Sequence, residues 1–507
     1  MNRQIRQLAL GLMSLYVALF ITLNYWQVAQ EEVLQANVEN TRAVRREFNK
    51  PRGPIITADG VIAAISTPNP DPDATFERLR TYPTGDLLSN ATGYFTLSFG
   101  STQVERDYGD VLTGSTTEQQ IRSLSDLLTS EVDNSGSVQL ALRHDLQEVA
   151  KFALGNRTGS VVVTEVATGA VRAMYSNPGY DPNTFVNAPF DDAQETIVAL
   201  QEAPGNPLLA GAYQQRFMPG STFKVITTGI GLEAGVIDRD TEFARESEWV
   251  PPQTTDPIQN YRGSTCGGDL PEVFRRSCNI PFAQTAINLG PDQMVAGVGD
   301  WGIGEELPID LPRPAASTFG DTTNLDQQLP LLGIRGFGQN EDQMVPLHMA
   351  MVAATVANDG RMMAPYVVEA TYDNNGRVLD ETDPEVWKTP ISGQTAELLT
   401  EFMTGVTEGP RGTAGSVDLA EGVRFAAKTG TAELGVIGDP DRVHAWMIAF
   451  APLEAPQYAI SVVVTDLTST TADAATGGRV AGPIVKGVLD YLLTGPGRDV
   501  VLGGAPR

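Results

Sequence analysis

The sequence predicts an α+β protein: an antiparallel sheet flanked by helices, standing on a smaller N-terminal pedestal behind one transmembrane helix. Three observations lead there. An apolar run at 8–26 has about the ~20-residue length that a bilayer-crossing helix needs. Two strong strand patterns, 161–166 and 459–464, bracket the larger C-terminal part. A strand pair before the helix expected after Ser221, and several strands beyond it, suit an antiparallel sheet covered by helices. At 507 residues the chain has room for two or three domains and a large core.

Arg3 and Arg6 precede the apolar run, and Tyr25 and Trp26 stand at its far end, where aromatic rings anchor at a membrane interface. That order predicts a signal anchor with residues 1–7 inside the cell, 8–27 in the membrane and the bulk outside. Gln27-Val28-Ala29-Gln30-Glu31-Glu32 is a poor cleavage site, so the anchor is expected to remain attached. Residues 28–146 read as a mixed, dimerisation-like pedestal of short strands with little helical periodicity. Within it, 68–73 is a turn-rich loop, 113–118 caps a helix expected over 119–128, and 138–142 is a strand. A helix starting at His144 leads into the main domain, placed at 147–495 and followed by a tail, 496–507.

The chemistry begins at Ser221-Thr222-Phe223-Lys224. A serine hydroxyl is a poor nucleophile and needs a base to take its proton. If Ser221 opens a helix, Lys224 lies one turn later on the same face, within reach. Phe217-Met218-Pro219-Gly220 breaks the chain before that helix, and Gly235 stops it. Burial and a second cation, Lys428, would push the Lys224 pKa down and free it to act as a base. The backbone N–H of Ser221 would then face an oxyanion. Alone, the same four residues would read as a serine cap with a solvated lysine.

Two later segments complete the set. Ser277-Cys278-Asn279 follows a helix expected over 270–276, and its hydroxyl and amide can relay a proton and hold a substrate amide. Lys428-Thr429-Gly430-Thr431-Ala432-Glu433 reads as an edge strand. Lys428 and the hydroxyls of Thr429 and Thr431 can grip a carboxylate, Gly430 lets a substrate backbone lie close, and the Thr431 N–H offers the second oxyanion donor. Residues 435–442 form a hairpin tip, and 443–450 return as a buried strand. His444 is one of three histidines and is read as a packed strand residue. No metal-ligand cluster and no cofactor motif is evident, so neither a metal nor a cofactor is expected.

With these residues in place, the chain resembles the class B penicillin-binding proteins, most closely their short actinobacterial type. Asn40-Thr41-Arg42, Arg52-Gly53-Pro54-Ile55, 168–174, 177–183, Gly338-Gln339, 346–350, 357–360 and Gly477-Gly478 carry the likeness along nearly the whole chain. It departs at Ala210-Gly211-Ala212, where relatives carry Asn-Arg-Ala. The resemblance implies a β-lactamase/transpeptidase-like domain and a peptidoglycan D,D-transpeptidase working through acyl-Ser221, covalently inhibited by penicillin. Lys224, Ser277, Asn279 and Lys428 would complete the catalytic set. The implied partners are stem peptides ending in D-Ala-D-Ala, β-lactam antibiotics, the cytoplasmic membrane, and other wall-synthesis or division proteins.

Other readings stay open. A D,D-carboxypeptidase shares every motif. A β-lactamase needs a deacylating base, yet no Glu-x-x-x-Asn loop is evident and Cys278 replaces the Asp of Ser-Asp-Asn. An inactive wall-assembly scaffold or a β-lactam sensor fits poorly with complete motifs and a single span. The net charge of −27, from 35 basic and 62 acidic residues, disfavours nucleic acid and fits a solvated acidic surface. Cys266 and Cys278 are the only cysteines. Outside the membrane they would bridge if geometry allows, closing a short loop at the middle motif; the alternative is two buried thiols.

Overall fold

Helix α1 (Arg3–Asn24) is exposed over 3–22, and Arg3–Thr22 is long and apolar enough to cross a membrane. The computed structural model describes residues 3–25, 49–71, 76–96, 99–123, 134–434, 442–468 and 475–499. Trp26, Asn40, Thr41 and Arg42, the hairpin tip at 435–441 and the tail from 500 lie outside the described residues.

In the pedestal, β1 (Ile55–Ile56) runs antiparallel to β2 (Ile62–Pro68), which pairs with β3 (Arg78–Thr81). On its other side β1 runs parallel to β4 (Ser137–Leu140), with Ile55 opposite Val138. A helix over Thr117–Ser123 begins two residues before the expected start, with Thr116 Oγ1 accepting from the Gln119 N–H at 3.3 Å; its expected continuation enters undescribed residues. Glu105 is buried between Arg52 and Arg80, at 2.6 and 2.7 Å. Burial raises its carboxyl, but Arg80 and then Arg52 outweigh this and hold it below its usual range.

This sheet does not end at the expected boundary near 146. Two strands from much later, Val368–Tyr372 and Val378–Glu381, extend it beyond β4. The two parts of the molecule share one ladder. Arg172, next to Ala170–Val171 in the main domain, donates to Ala141 O at 3.1 Å and pairs with Glu369 at 3.5 Å. Lys151 pairs with Asp86 at 2.6 Å. Ala210-Gly211-Ala212 has no long side chain to make such a contact; it packs instead against the sheet, the Ala212 N–H donating to Ser176 Oγ at 2.9 Å.

Helix α2 (His144–Leu154) leads to β5 (Gly159–Glu165) and β6 (Val171–Asn177). Then follow α3 (Lys224–Glu233), β7 (Cys266–Asp269), α4 (Leu270–Arg275), α5 (Ile280–Asp300), α6 (Pro346–Ala357) and α7 (Gly393–Glu408). Strands β8 (Ala426–Glu433), β9 (Arg442–Ala451) and β10 (Tyr458–Thr468) and helix α8 (Gly482–Leu493) close the fold. The antiparallel order is β8-β9-β10-β5-β6, so two strands precede α3, three follow it, and β8 is an edge. Every residue of β9 after Arg442 is buried, which requires cover on both faces. Helix α6, apolar almost all round, packs on β5, β9 and β10, and α8 packs on β9 and β10.

Candidate active site

Ser221 lies on a 3-10 turn, Gly220–Phe223, that runs directly into α3. Three bonds hold the turn in place. The Gly220 N–H donates to Gly338 O at 2.8 Å, the Phe217 N–H to Met344 O at 2.9 Å, and Trp446 Nε1 on β9 to Met218 O at 2.8 Å. Gly220 has φ +53, and a Cβ there would lie 2.5 Å from Thr431 O. A Cβ on Gly430 would lie 2.7 Å from Pro219 O and 3.0 Å from Thr222 Cγ2. Gly430 thus permits a close approach to the protein's own turn. The backbones of Ser221 and Thr431 are neighbours as a result.

Lys224 and Lys428 are both fully buried. Lys224 Nζ donates to Ser277 O at 2.8 Å, Asn279 Oδ1 at 2.9 Å and Ser277 Oγ at 3.3 Å. Lys428 Nζ donates to Ser277 Oγ at 2.8 Å and Thr429 O at 3.0 Å. Aromatic rings keep water away: Phe282 and Phe337 centre 5.3 and 5.9 Å from Lys224 Nζ, and Phe274 5.6 Å from Lys428 Nζ. Burial, and after it the Lys428 charge, push Lys224 well below the ordinary lysine range. Burial brings Lys428 down to about 7. Its Nζ lies between Ser277 Oγ and Thr429 O.

The half-buried Ser221 hydroxyl makes no hydrogen bond among the described residues. Catalytic hydrogen bonds are often formed only once substrate is seated, so this leaves Lys224 eligible as its base. Ser277 Oγ receives N–H groups from both lysines. A hydroxyl has two lone pairs and one proton, so the Ser277 proton is left to point elsewhere.

The chain reaches this arrangement through the end of α4. The Cys278 N–H donates to Val273 O at 3.0 Å and the Ser277 N–H to Phe274 O at 3.1 Å, the two bonds of a Schellman motif. Ser277 takes the left-handed position at φ +59, where glycine is the usual choice. Serine is retained there at a backbone cost. Ser277→Gly should therefore be more stable than Ser277→Ala by ~1 kcal/mol, since both lose the hydroxyl and glycine alone relaxes. Equal stabilities in denaturant unfolding would show that the strain is absent.

Asn279 caps α5. Its N–H donates to Asn260 Oδ1 at 2.7 Å and its Nδ2 to Gln259 O at 3.1 Å. An amide group has two N–H donors, so one remains for a substrate carbonyl. Asn260, buried and also accepting from the Ile280 N–H at 3.1 Å, was not legible as a site residue because nothing in its local sequence marks it. Cys266 and Cys278 are joined, with Cα atoms 5.8 Å apart. Cys278→Ser is expected to lower stability by ~2–3 kcal/mol and to slow acylation modestly. Calorimetry and stopped-flow acylation of the variant check both effects. His444 is buried in β9 with its ring edge-on to Phe217 at 5.7 Å.

Residues 159–490 match the family described as the penicillin binding protein transpeptidase domain, and 52–138 match the penicillin binding protein A dimerisation domain. The chain belongs to the penicillin-binding protein transpeptidase family. Peptidoglycan D,D-transpeptidase PbpA of Mycolicibacterium smegmatis is 34% identical over 498 residues, 96% of this chain and 98% of that protein. Penicillin-binding protein A from M. tuberculosis, solved as a ceftriaxone acyl-enzyme complex, superposes with TM-score 0.80 at 32% identity, covering 89% of this chain and 100% of that one. Its penicillin G acyl-enzyme complex gives TM-score 0.79 at 32% identity, covering 88% and 100%. Within this family, the Ser221, Ser277 and Lys428 segments are the three that the fold brings to one point.

Proposed function

We propose that this chain is a peptidoglycan D,D-transpeptidase whose acyl-enzyme forms on Ser221. One observation carries the reading: two fully buried lysines from separate elements meet on Ser277 Oγ beside the Ser221 turn. Ser221 Oγ bonds to the carbonyl carbon of the penultimate D-Ala as Lys224 takes its proton. The N–H groups of Ser221 and Thr431 hold the oxyanion. The bond to the last D-Ala breaks, and its nitrogen receives a proton passed from Lys224 through Ser277. A neighbouring stem's amine then attacks the acyl carbon, the bond from that carbon to Ser221 Oγ breaks, and the amine's proton passes by way of Lys224 to Ser221 Oγ. Asn279 holds the substrate amide, and Thr429 with Thr431 holds the terminal carboxylate, with the buried Lys428 setting the field.

The same reading places α1 as a membrane anchor with its N-terminus inside and the rest outside, the basic Arg3 and Arg6 staying on the cytoplasmic side. Residues 28–146 would be the pedestal and 147–495 the transpeptidase unit, serving wall synthesis alongside other wall-building proteins. Intact-mass detection of a long-lived penicillin adduct on Ser221, with cross-linked product from a stem-peptide analogue and an amine acceptor, tests the activity. Hydrolysis alone would make it a carboxypeptidase, and rapid release of opened penicillin a β-lactamase.

A further inference from the structure

The loop Arg411-Gly412-Thr413 lies between α7 and β8 and carries none of the three motifs. Thr413 Oγ1 stands 2.6 Å from Thr429 Oγ1. Thr429 is nearly buried, whereas Thr413 is exposed.

The loop is clamped from several sides. Arg411 Nη2 reaches Glu272 Oε1 on α4 at 3.2 Å, which ties the loop to the helix that ends at Ser277. A Cβ on Gly412 would lie 2.3 Å from Val406 O, and one on Gly478 2.2 Å from Thr413 O. Beside it, a Cβ on Gly477 would lie 2.1 Å from Trp446 O and 2.5 Å from Gly430 O. The Gly477-Gly478 pair thus lets the chain lie flat on both the edge strand and the Thr413 loop. Its effect is to press Thr413 against Thr429.

We infer that Thr413 is a positioning residue for carboxylate recognition: its hydroxyl donates to Thr429 Oγ1 and turns the Thr429 proton toward the carboxylate of the substrate or of a β-lactam. A hydroxyl that must donate to an anion gains when its own oxygen accepts a hydrogen bond, because the chain of bonds polarises in one direction. Without Thr413 the Thr429 hydroxyl is free to rotate and to donate elsewhere. This rests on the reading of Thr429 as a carboxylate ligand.

The test compares second-order acylation rate constants for a penicillin and for its methyl ester, which lacks the anion. In the wild-type chain the acid should react faster. Thr413→Val keeps the shape and removes the hydroxyl, and it should cut the acid-to-ester ratio about fivefold, on the scale of one hydrogen bond between neutral groups. Thr413→Ser should restore the ratio. Adding Thr413→Val to Thr429→Val should change the ratio no further. A ratio that survives Thr413→Val but falls in Thr429→Val overturns the role of Thr413 and leaves the transpeptidase reading intact. A ratio that survives Thr429→Val removes the carboxylate role of Thr429, and the inference with it. Equal loss for acid and ester, with a lowered melting temperature, makes Thr413 a structural residue and also overturns it.

Discussion

Ser221→Ala is expected to abolish covalent labelling by penicillin and leave thermal unfolding unchanged. The nucleophile is the one atom for which no neighbour can substitute, since the bond to the acyl carbon is made by Ser221 Oγ itself. The fold, in contrast, hardly depends on it. The hydroxyl is half-buried and makes no hydrogen bond among the described residues, so removing it leaves no buried partner unsatisfied. Intact-mass spectrometry after incubation with penicillin, beside a melting curve, reads both halves. An adduct persisting on the alanine variant would move the nucleophile elsewhere.

Lys224→Arg should slow acylation by ~10²-fold or more, because a guanidinium cannot give up its proton to become a base. It should also destabilise the protein, since the site favours a neutral group. Lys224→Met separates the two effects, losing the base while burying no charge. The pH profile follows from the same burial. With its pKa well below the usual 10.5, Lys224 becomes neutral, and acylation rises, at lower pH than an ordinary lysine would allow. Lys428→Met removes the neighbouring cation that helps to depress Lys224, so the rising limb should move to higher pH. A limb that stays in place in Lys428→Met, or acylation by Lys224→Arg at the normal rate, would assign the base to another group.

The reach of the sequence differs from one part of the site to another for physical reasons. Ser221 and Lys224 are legible because a nucleophile and its base must sit one helical turn apart. Ser277 and Asn279 are legible as a pair from their types, a hydroxyl and an amide two residues apart, and both bond Lys224; the backbone that presents them is a helix end followed by a helix start and not the extended loop in which side chains alternate. The left-handed backbone of Ser277 was not legible, since local preference there favours glycine and a functional hydroxyl overrides it. Thr413 and Asn260 escaped for a different reason: each acts through a residue distant in sequence, 16 positions for Thr413–Thr429 and 19 for Asn260–Asn279. The strand patterns at 161–166 and 459–464 predicted strands that formed, because β-branched residues on a doubly covered sheet leave a strong local signal. Which strands join which sheet is not local information, and the pedestal ladder shows it.

That ladder sets a timetable. Tyr372 Oη bonds Gln139 Oε1 on β4 from 233 residues away. A ribosome adding 5–20 residues per second delivers those 233 residues over roughly 12–47 s. Throughout that interval β1, β2 and β3 can pair, but the far side of β4 presents unpaired N–H and C=O groups to anything nearby. The support that stands first in the chain is the part completed late, when Val368–Tyr372 arrives. A fragment cut near residue 146 would keep that open edge permanently, and would be expected to aggregate where the whole chain does not.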